Sequence, residues 1–211
     1  MGDERTKELE SIWTGNDSEL LKIIIPLYCQ TGTELIVDAT AGSRVMWKGV
    51  KEFKPVFCDI DHCKNPDIVT HWEDLHNHIK DADLIIFDPP HWPTTSGSNN
   101  FNNRYGLKKM PSGPGAAKLS FDEFFPSARE SIKKGGCVFV KTCDLVNGGR
   151  NHWSSLHAID VAENNGFTLV DWIIKIRKSY RKSSTWKNQI HARKVHSHWL
   201  IFREGKGWYK R

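Results

Sequence analysis

The residues with the clearest capacity for chemistry are Asp88-Pro89-Pro90-His91-Trp92, which follow the apolar run Leu84-Ile85-Ile86-Phe87. Neither proline carries an N–H, and both stiffen the chain where a buried strand would end. The Asp88 carboxylate and the Pro89 carbonyl then become two acceptors held in one geometry. Two fixed acceptors suit an NH2 group, which has two donors. A flat ring at His91 or Trp92 can stack on a planar base. Asp88, Pro89, Pro90 and His91 are therefore the predicted reacting site, with Trp92 beside the bound base.

Two earlier strand ends also carry carboxylates. Asp38 closes the run Leu35-Ile36-Val37 and leads into Ala39-Thr40-Ala41-Gly42-Ser43. Small residues there let the backbone approach a ligand closely. The single Gly42 makes neither a dinucleotide fingerprint nor a phosphate loop. Asp59-Ile60-Asp61 follows Val56-Phe57-Cys58, about twenty residues past the first turn, where a carboxylate can accept hydrogen bonds from ribose hydroxyls.

The elements that must position these groups alternate in type. Asp17 or Ser18 can cap a helix over roughly Leu20 to Tyr28, with Pro26 distorting its last turns. Strands are predicted at Glu34–Asp38, Pro55–Cys58, Asp67–Val69, Leu84–Phe87, Cys137–Lys141, Phe167–Ile176 and His198–Phe202. Helices are predicted at Phe121–Ile132 and His152–Asn164, the second stopped by Asn165-Gly166. Alternating strands and helices mean βαβ units. The expected fold is α/β: a doubly wound, Rossmann-like, mostly parallel seven-stranded sheet with a C-terminal antiparallel hairpin. In such sheets ligands bind at the carboxyl ends of the strands, where the three carboxylates fall.

On these residues the chain resembles the class I S-adenosylmethionine-dependent amino-methyltransferases. Asp38-Ala39-Thr40-Ala41-Gly42-Ser43 is similar to their motif I, D-P-F-x-G-S, with Ala39 for Pro and Thr40 for Phe, and Arg44 where a second Gly is usual. Asp88-Pro89-Pro90-His91 is similar to their motif IV, [D/N/S]-P-P-[Y/F/W/H]. Trp13-Thr14-Gly15-Asn16-Asp17 sits where motif X often lies. The resemblance spans roughly residues 11 to 203 and is nearest to small DNA adenine methylases. It implies S-adenosyl-L-methionine as cofactor, held by Trp13, Thr14, Asp38, Ala39, Thr40, Gly42, Asp59, Ile60 and Asp61. The implied reaction is methylation of a nucleobase NH2, with DNA adenine N6 first and RNA adenine N6 or guanine N2 as the alternative. A methyltransferase-like nucleic-acid-binding module without activity is the reading from another class.

The chain has 211 residues, 38% of them hydrophobic, and a formal charge of +5. That length fits one domain over residues 1–211. No run approaches the roughly 18 apolar residues of a membrane span. The charged start, Met1-Gly2-Asp3-Glu4-Arg5, lacks the apolar core of a secretory signal, so an intracellular, cytoplasmic protein is expected. Cys58 and Cys63, beside His62, His71, His76 and His78, match no zinc spacing, so no metal site is predicted.

The charge is unevenly spread. From Trp172 to Arg203 there is no Asp or Glu. Lys178, Arg181, Lys182, Lys187 and Arg193, with Trp186 among them, form a predicted phosphate-binding stripe within a basic insertion at 179–195. A second aperiodic stretch, 93–118, reads as a mobile lid over the target base, with Asn102, Arg104 and Tyr105 as its contacts. Trp153, Trp172 and Trp199 read as core. Nucleic acid is the expected partner. Oligomeric state has no local signal.

Overall fold

The computed structural model describes residues 9–29, 33–90, 114–177 and 189–205. His91, Trp92, Asn102, Arg104, Tyr105, Lys178, Arg181, Lys182, Trp186 and Lys187 lie outside the described residues.

Strand β1 (Ile12–Trp13) leads into helix α1 (Asp17–Tyr28). The helix begins earlier than its apolar pattern implies, because Asn16 and not Asp17 or Ser18 is the cap. Asn16 Oδ1 accepts the Glu19 N–H at 2.8 Å, and Glu19 Oε2 accepts the Asn16 N–H at 3.3 Å. This reciprocal pair satisfies two end-of-helix donors at once. Gly15 must be glycine: a Cβ there would lie 2.6 Å from the Trp13 ring. Pro26 does not end the helix, which runs on to Tyr28.

The core strands are β2 (Ile36–Asp38), β3 (Val56–Asp59), β4 (Ile68–Val69), β5 (Ala82–Phe87) and β6 (Ile132–Thr142). Helix α2 (Pro114–Ser131) precedes β6. It corrects the aperiodic stretch expected over 93–118, since 114–118 are helical. Beyond β6 lie β7 (Leu145–Asn147), β8 (Arg150–His152), α3 (Ser154–Asn164), β9 (Phe167–Ile176) and β10 (His196–Glu204). The β7–β8 hairpin takes His152, the residue expected to start the helix, which instead begins at Ser154. Its loop, Gly148-Gly149, has φ of 56° and 72°, the left-handed pair that a tight two-residue hairpin turn requires.

One eight-stranded sheet has the order β1-β9-β10-β6-β5-β2-β3-β4. Strand β10 runs antiparallel to both β6 and β9, and the other pairs are parallel. The eighth strand is β1, whose Trp13 pairs with Lys175 beyond the seven expected. From β2 the chain winds outward through β3 and β4, then returns to β5 on the other side of β2. That reversal opens a crevice at the carboxyl ends of β2 and β5.

Alternate residues of β5 explain its uninterrupted apolar sequence. Leu84 and Ile86 join a cluster with Leu21, Ile24 and Ile25 of α1 and with Trp199; Ile85 and Phe87 join another with Phe121, Phe124 and Phe125 of α2. A parallel strand covered on both faces needs no polar alternation. Trp199 is fully buried, as expected, and Trp172 is half-buried. Trp153 contradicts its core assignment: it is 46% exposed, because the hairpin places it on the surface just ahead of α3.

Candidate active site

Asp88 leaves β5 at the crevice, followed by Pro89 and Pro90. Its N–H donates to Thr40 Oγ1 at 2.8 Å, which ties the end of β5 to the loop after β2. Thr40 in turn donates its N–H to Asp38 Oδ1 at 3.0 Å, and Trp47 Nε1 donates to Asp38 Oδ2 at 2.7 Å. Asp38 is fully buried. Burial pushes its carboxyl up to about 7, against the lowering effect of the Trp47 and Thr40 hydrogen bonds; the Asp88 and Asp59 charges push the same way as burial.

Asp59 organises the neighbouring loop. Its Oδ2 accepts the Gly42 N–H at 2.7 Å and its Oδ1 accepts the Asp61 N–H at 2.8 Å. A carboxylate offers about four acceptor sites, so capacity for two further donors remains. Gly42 (φ 50°) and Arg44 (φ 54°) both turn through the left-handed region. The Arg44 guanidinium lies 4.1 Å over the Phe57 ring and donates to the Asn65 carbonyl, which anchors the turn that a second glycine would otherwise make.

A chain of ion pairs lies beside Asp88; the sequence puts Lys141 at a strand end near the same pocket but assigns it no role. Lys141 Nζ is 3.0 Å from Asp88 Oδ2 and 3.3 Å from Asp17 Oδ2. Lys175 Nζ is 2.6 Å from the same Asp17 oxygen, and Trp199 Nε1 donates to Asp17 Oδ1 at 3.0 Å. Burial works to lower the Lys141 ammonium, but Asp88 and Asp17 outweigh it and leave its pKa raised. Lys141 is therefore a fixed cation bridging two carboxylates. It reaches Asp88 because β5 and β6 pair with Phe87 opposite Val140. The signal in the sequence was a lysine closing an otherwise apolar strand; such a charge needs a partner when buried.

Farther along the same edge, Trp172 Nε1 donates to His198 Nδ1 at 2.8 Å. That bond needs a lone pair on Nδ1, so Nε2 carries the proton, and it lies 3.3 Å from Asp144 Oδ2. Asp144 Oδ1 also accepts the Ser155 N–H at 3.0 Å and its hydroxyl at 2.9 Å. Burial would raise the Asp144 carboxyl, but the bonds from His198 and Ser155 hold it below the usual range. This network fixes the chain where β6 gives way to the β7–β8 hairpin.

The remaining sequence-predicted residues fall as follows. Trp13 is buried, its Nε1 donating to the Asn16 carbonyl at 3.0 Å, and Thr14 is exposed at the start of α1. Ala39 is buried and donates its N–H to the Ile86 carbonyl at 2.9 Å. Ile60 and Asp61 are half-buried beside Asp59, and Arg193 is exposed. Pro89 is buried and Pro90 half-buried. Asp61, His62 and Cys63 converge near the surface, as do His71, Glu73 and Glu123, but the buried Cys58 joins neither group.

Strand order, winding and the antiparallel β10 together make this the Rossmann-like methyltransferase fold. Solved structures of the same fold bear this out. The N-methyltransferase NodS from Bradyrhizobium japonicum matches with a TM-score of 0.55 at 9% identity, over 90% of this chain and 94% of that one. A S-adenosylmethionine-dependent methyltransferase from Methanosarcina mazei matches at 0.52 and 11% identity, over 87% and 97%. TrmN from Thermus thermophilus matches at 0.50 and 13% identity, over 89% and 48%. The chain spans about half the length of TrmN and of a putative DNA modification methylase from the same organism. No family model and no curated protein matches the chain. Among the described residues no helix is long and apolar enough to cross a membrane.

Proposed function

We propose that the chain is a S-adenosylmethionine-dependent methyltransferase acting on an exocyclic NH2 of a nucleobase. DNA adenine N6 is the first target; adenine N6 or guanine N2 of RNA is the second. The observation that carries this reading is Asp88-Pro89-Pro90 at the crevice, with the Asp88 N–H held by Thr40 and its carboxylate held by Lys141. The departure at Thr40 thus builds the site, which favours an enzyme over an inactive module.

The crevice suits the cofactor. Asp38 and Asp59 bring two carboxyl groups to the loops at this edge, and Asp59 retains acceptor capacity for ribose hydroxyls. When bound, S-adenosylmethionine supplies an electrophilic methyl on a sulfonium. Asp88 and the Pro89 carbonyl accept the two hydrogens of the target amine. That draws the nitrogen out of conjugation with the ring and frees its lone pair for in-line attack. As the N–C bond formed, the methyl–sulfur bond would break with its electron pair passing to sulfur, and the surplus proton on nitrogen would pass by way of the Asp88 carboxylate to water. The contribution is orientation and electrostatics, with no strong base required. His91 and Trp92 supply the stacking surface. In a duplex the base must first leave the stack, at a cost of a few kcal/mol.

Two expectations follow from the charges. Lys141→Met removes the cation that orients Asp88, and a misplacement of about 1 Å costs roughly 100-fold in turnover. Lys141→Arg should recover most of the loss, and cofactor affinity should stay within about threefold of wild type. Single-turnover rates and equilibrium titrations separate these effects; equal losses in rate and cofactor affinity would assign Lys141 to cofactor binding instead.

Asp38 gives the test of the cofactor. Between about pH 4 and 7 the folded chain holds a proton on Asp38 that the unfolded chain releases, so this group's contribution to stability falls as pH rises through that window. A cation bound nearby favours the ionised carboxyl. S-adenosylmethionine binding at about pH 6.5 should therefore release a proton, and affinity should rise with pH and level off above about 7. Titration calorimetry in buffers of different ionisation enthalpy reads the release directly. Buffer-independent heats would contradict the placement of the cationic cofactor beside Asp38.

A further inference from the structure

The hairpin β7–β8 and the segment that precedes β10 are far apart in sequence but docked in space. His191 Nε2 bonds the Gly149 carbonyl at 2.7 Å, and Lys194 Nζ lies 4.3 Å over the Trp153 ring. Both stretches lack carboxylates: none occurs from Leu145 to Ile159, nor from Trp172 to Arg203. Their docking sets the hairpin, with Arg150 exposed, against the segment that carries the exposed Arg193 and the half-buried Lys194. Lys194 covers one face of the Trp153 indole, yet 46% of the residue stays exposed. A large aromatic left in water beside a cation suits a flat ligand with a charged backbone.

Its position relates it to the proposed reacting group. Ser155, two residues past Trp153, is bonded to Asp144, and Asp144 lies three residues past Lys141, which touches Asp88. Three residues of chain span at most about 10 Å, and the Ser155 bonds to Asp144 tie the start of α3 to this end of β6.

We propose that Trp153, with Arg150, Arg193 and Lys194, binds a nucleotide flanking the methylated one on the same single strand. Trp153 stacks on its base, and the three cations take the adjoining phosphates. The proposal rests on the nucleic-acid reading above and adds where the unreacted part of the strand lies. The neighbouring exposed side chains Val146, Leu156 and Ile190 offer apolar surface to a protein, and Asp122 pairs with His157 on α3, but Arg150, Arg193 and Lys194 together with an exposed indole favour a polyanion.

The test uses the full chain with a fluorescein-labelled single-stranded DNA of mixed sequence and the RNA of the same sequence, over a series of salt concentrations. Trp153→Ala should weaken binding roughly 5- to 150-fold with little change in salt slope. Trp153→Phe should retain most of the affinity, and unchanged thermal unfolding of both variants would show that the fold is intact. Arg150→Ala and Arg193→Ala should each reduce the log–log salt slope by about 0.7, the single-strand value per phosphate. The arms then show whether DNA or RNA is preferred. If wild type binds and methylates nucleic acid while these variants bind like wild type, the platform is wrong and the function stands. Failure of wild type to bind either strand overturns both. A change in sedimenting mass without a change in nucleic-acid affinity would make the face a protein interface and overturn the platform.

Discussion

Asp88→Ala is expected to lower methyl transfer by at least about 100- to 1,000-fold, the usual loss when one preorganised electrostatic contact to the reacting centre is removed. Cofactor affinity should change little, because the Asp88 carboxylate is paired with Lys141 while Asp38 and Asp59 organise the loops after β2 and β3. Removing Asp88 also frees Lys141 to pair with Asp17 alone, so the ammonium would still have a partner and the fold should persist. Rapid-quench turnover with saturating cofactor, alongside a direct cofactor titration, measures both quantities. Turnover near the wild-type rate would remove Asp88 from the mechanism.

The residue before it should have the largest effect on stability. Phe87 is fully buried, its ring stacked on Phe124 at 3.9 Å and 6°, with Trp72 edge-on at 5.7 Å and Phe121 at 6.2 Å. Phe87→Ala leaves a cavity among rings that belong to different elements and cannot close over it together. The expected loss is about 3–5 kcal/mol, a large share of the roughly 5–15 kcal/mol that holds a domain folded. Because Phe87 anchors the strand end that carries Asp88, the variant should lose turnover as well. Urea unfolding should show a lower midpoint with the slope unchanged. A loss under about 1 kcal/mol would mean that the cavity is refilled by repacking.

What could be read in the sequence followed from local pattern. The apolar runs ending in Asp38, Asp59 and Asp88 marked three adjacent strand ends, and all three lie at the crevice, because a buried parallel strand leaves a simple signature. Strand β9 is legible to the residue for another reason: it is a long run rich in β-branched and aromatic residues that starts just after Asn165-Gly166. The hairpin was not anticipated, although Asn147-Gly148 is a tight-turn signal; its strands are three residues each and carry little pattern. Trp153 reads as core because the helical pattern begins at His152, whereas the helix starts at Ser154 and leaves Trp153 as its cap. Lys141, Asp17 and Lys175 were illegible as a group: their meeting depends on the pairings of β6 with β5 and of β9 with β1, which no local periodicity encodes. Thr40 looked like a weakened motif until its hydroxyl was seen to accept the Asp88 N–H.

The central claim is that this chain methylates an exocyclic amine of a nucleobase. Purified protein incubated with tritiated S-adenosylmethionine and, in parallel, DNA, total RNA and small metabolites tests it, with nuclease digestion and mass spectrometry to identify the product. The expected result is label in nucleic acid, recovered as N6-methyladenine or another amino-methylated base and absent with Asp88→Ala. Label on a ring carbon, on ribose or on a metabolite alone, or no transfer despite bound cofactor, would contradict it.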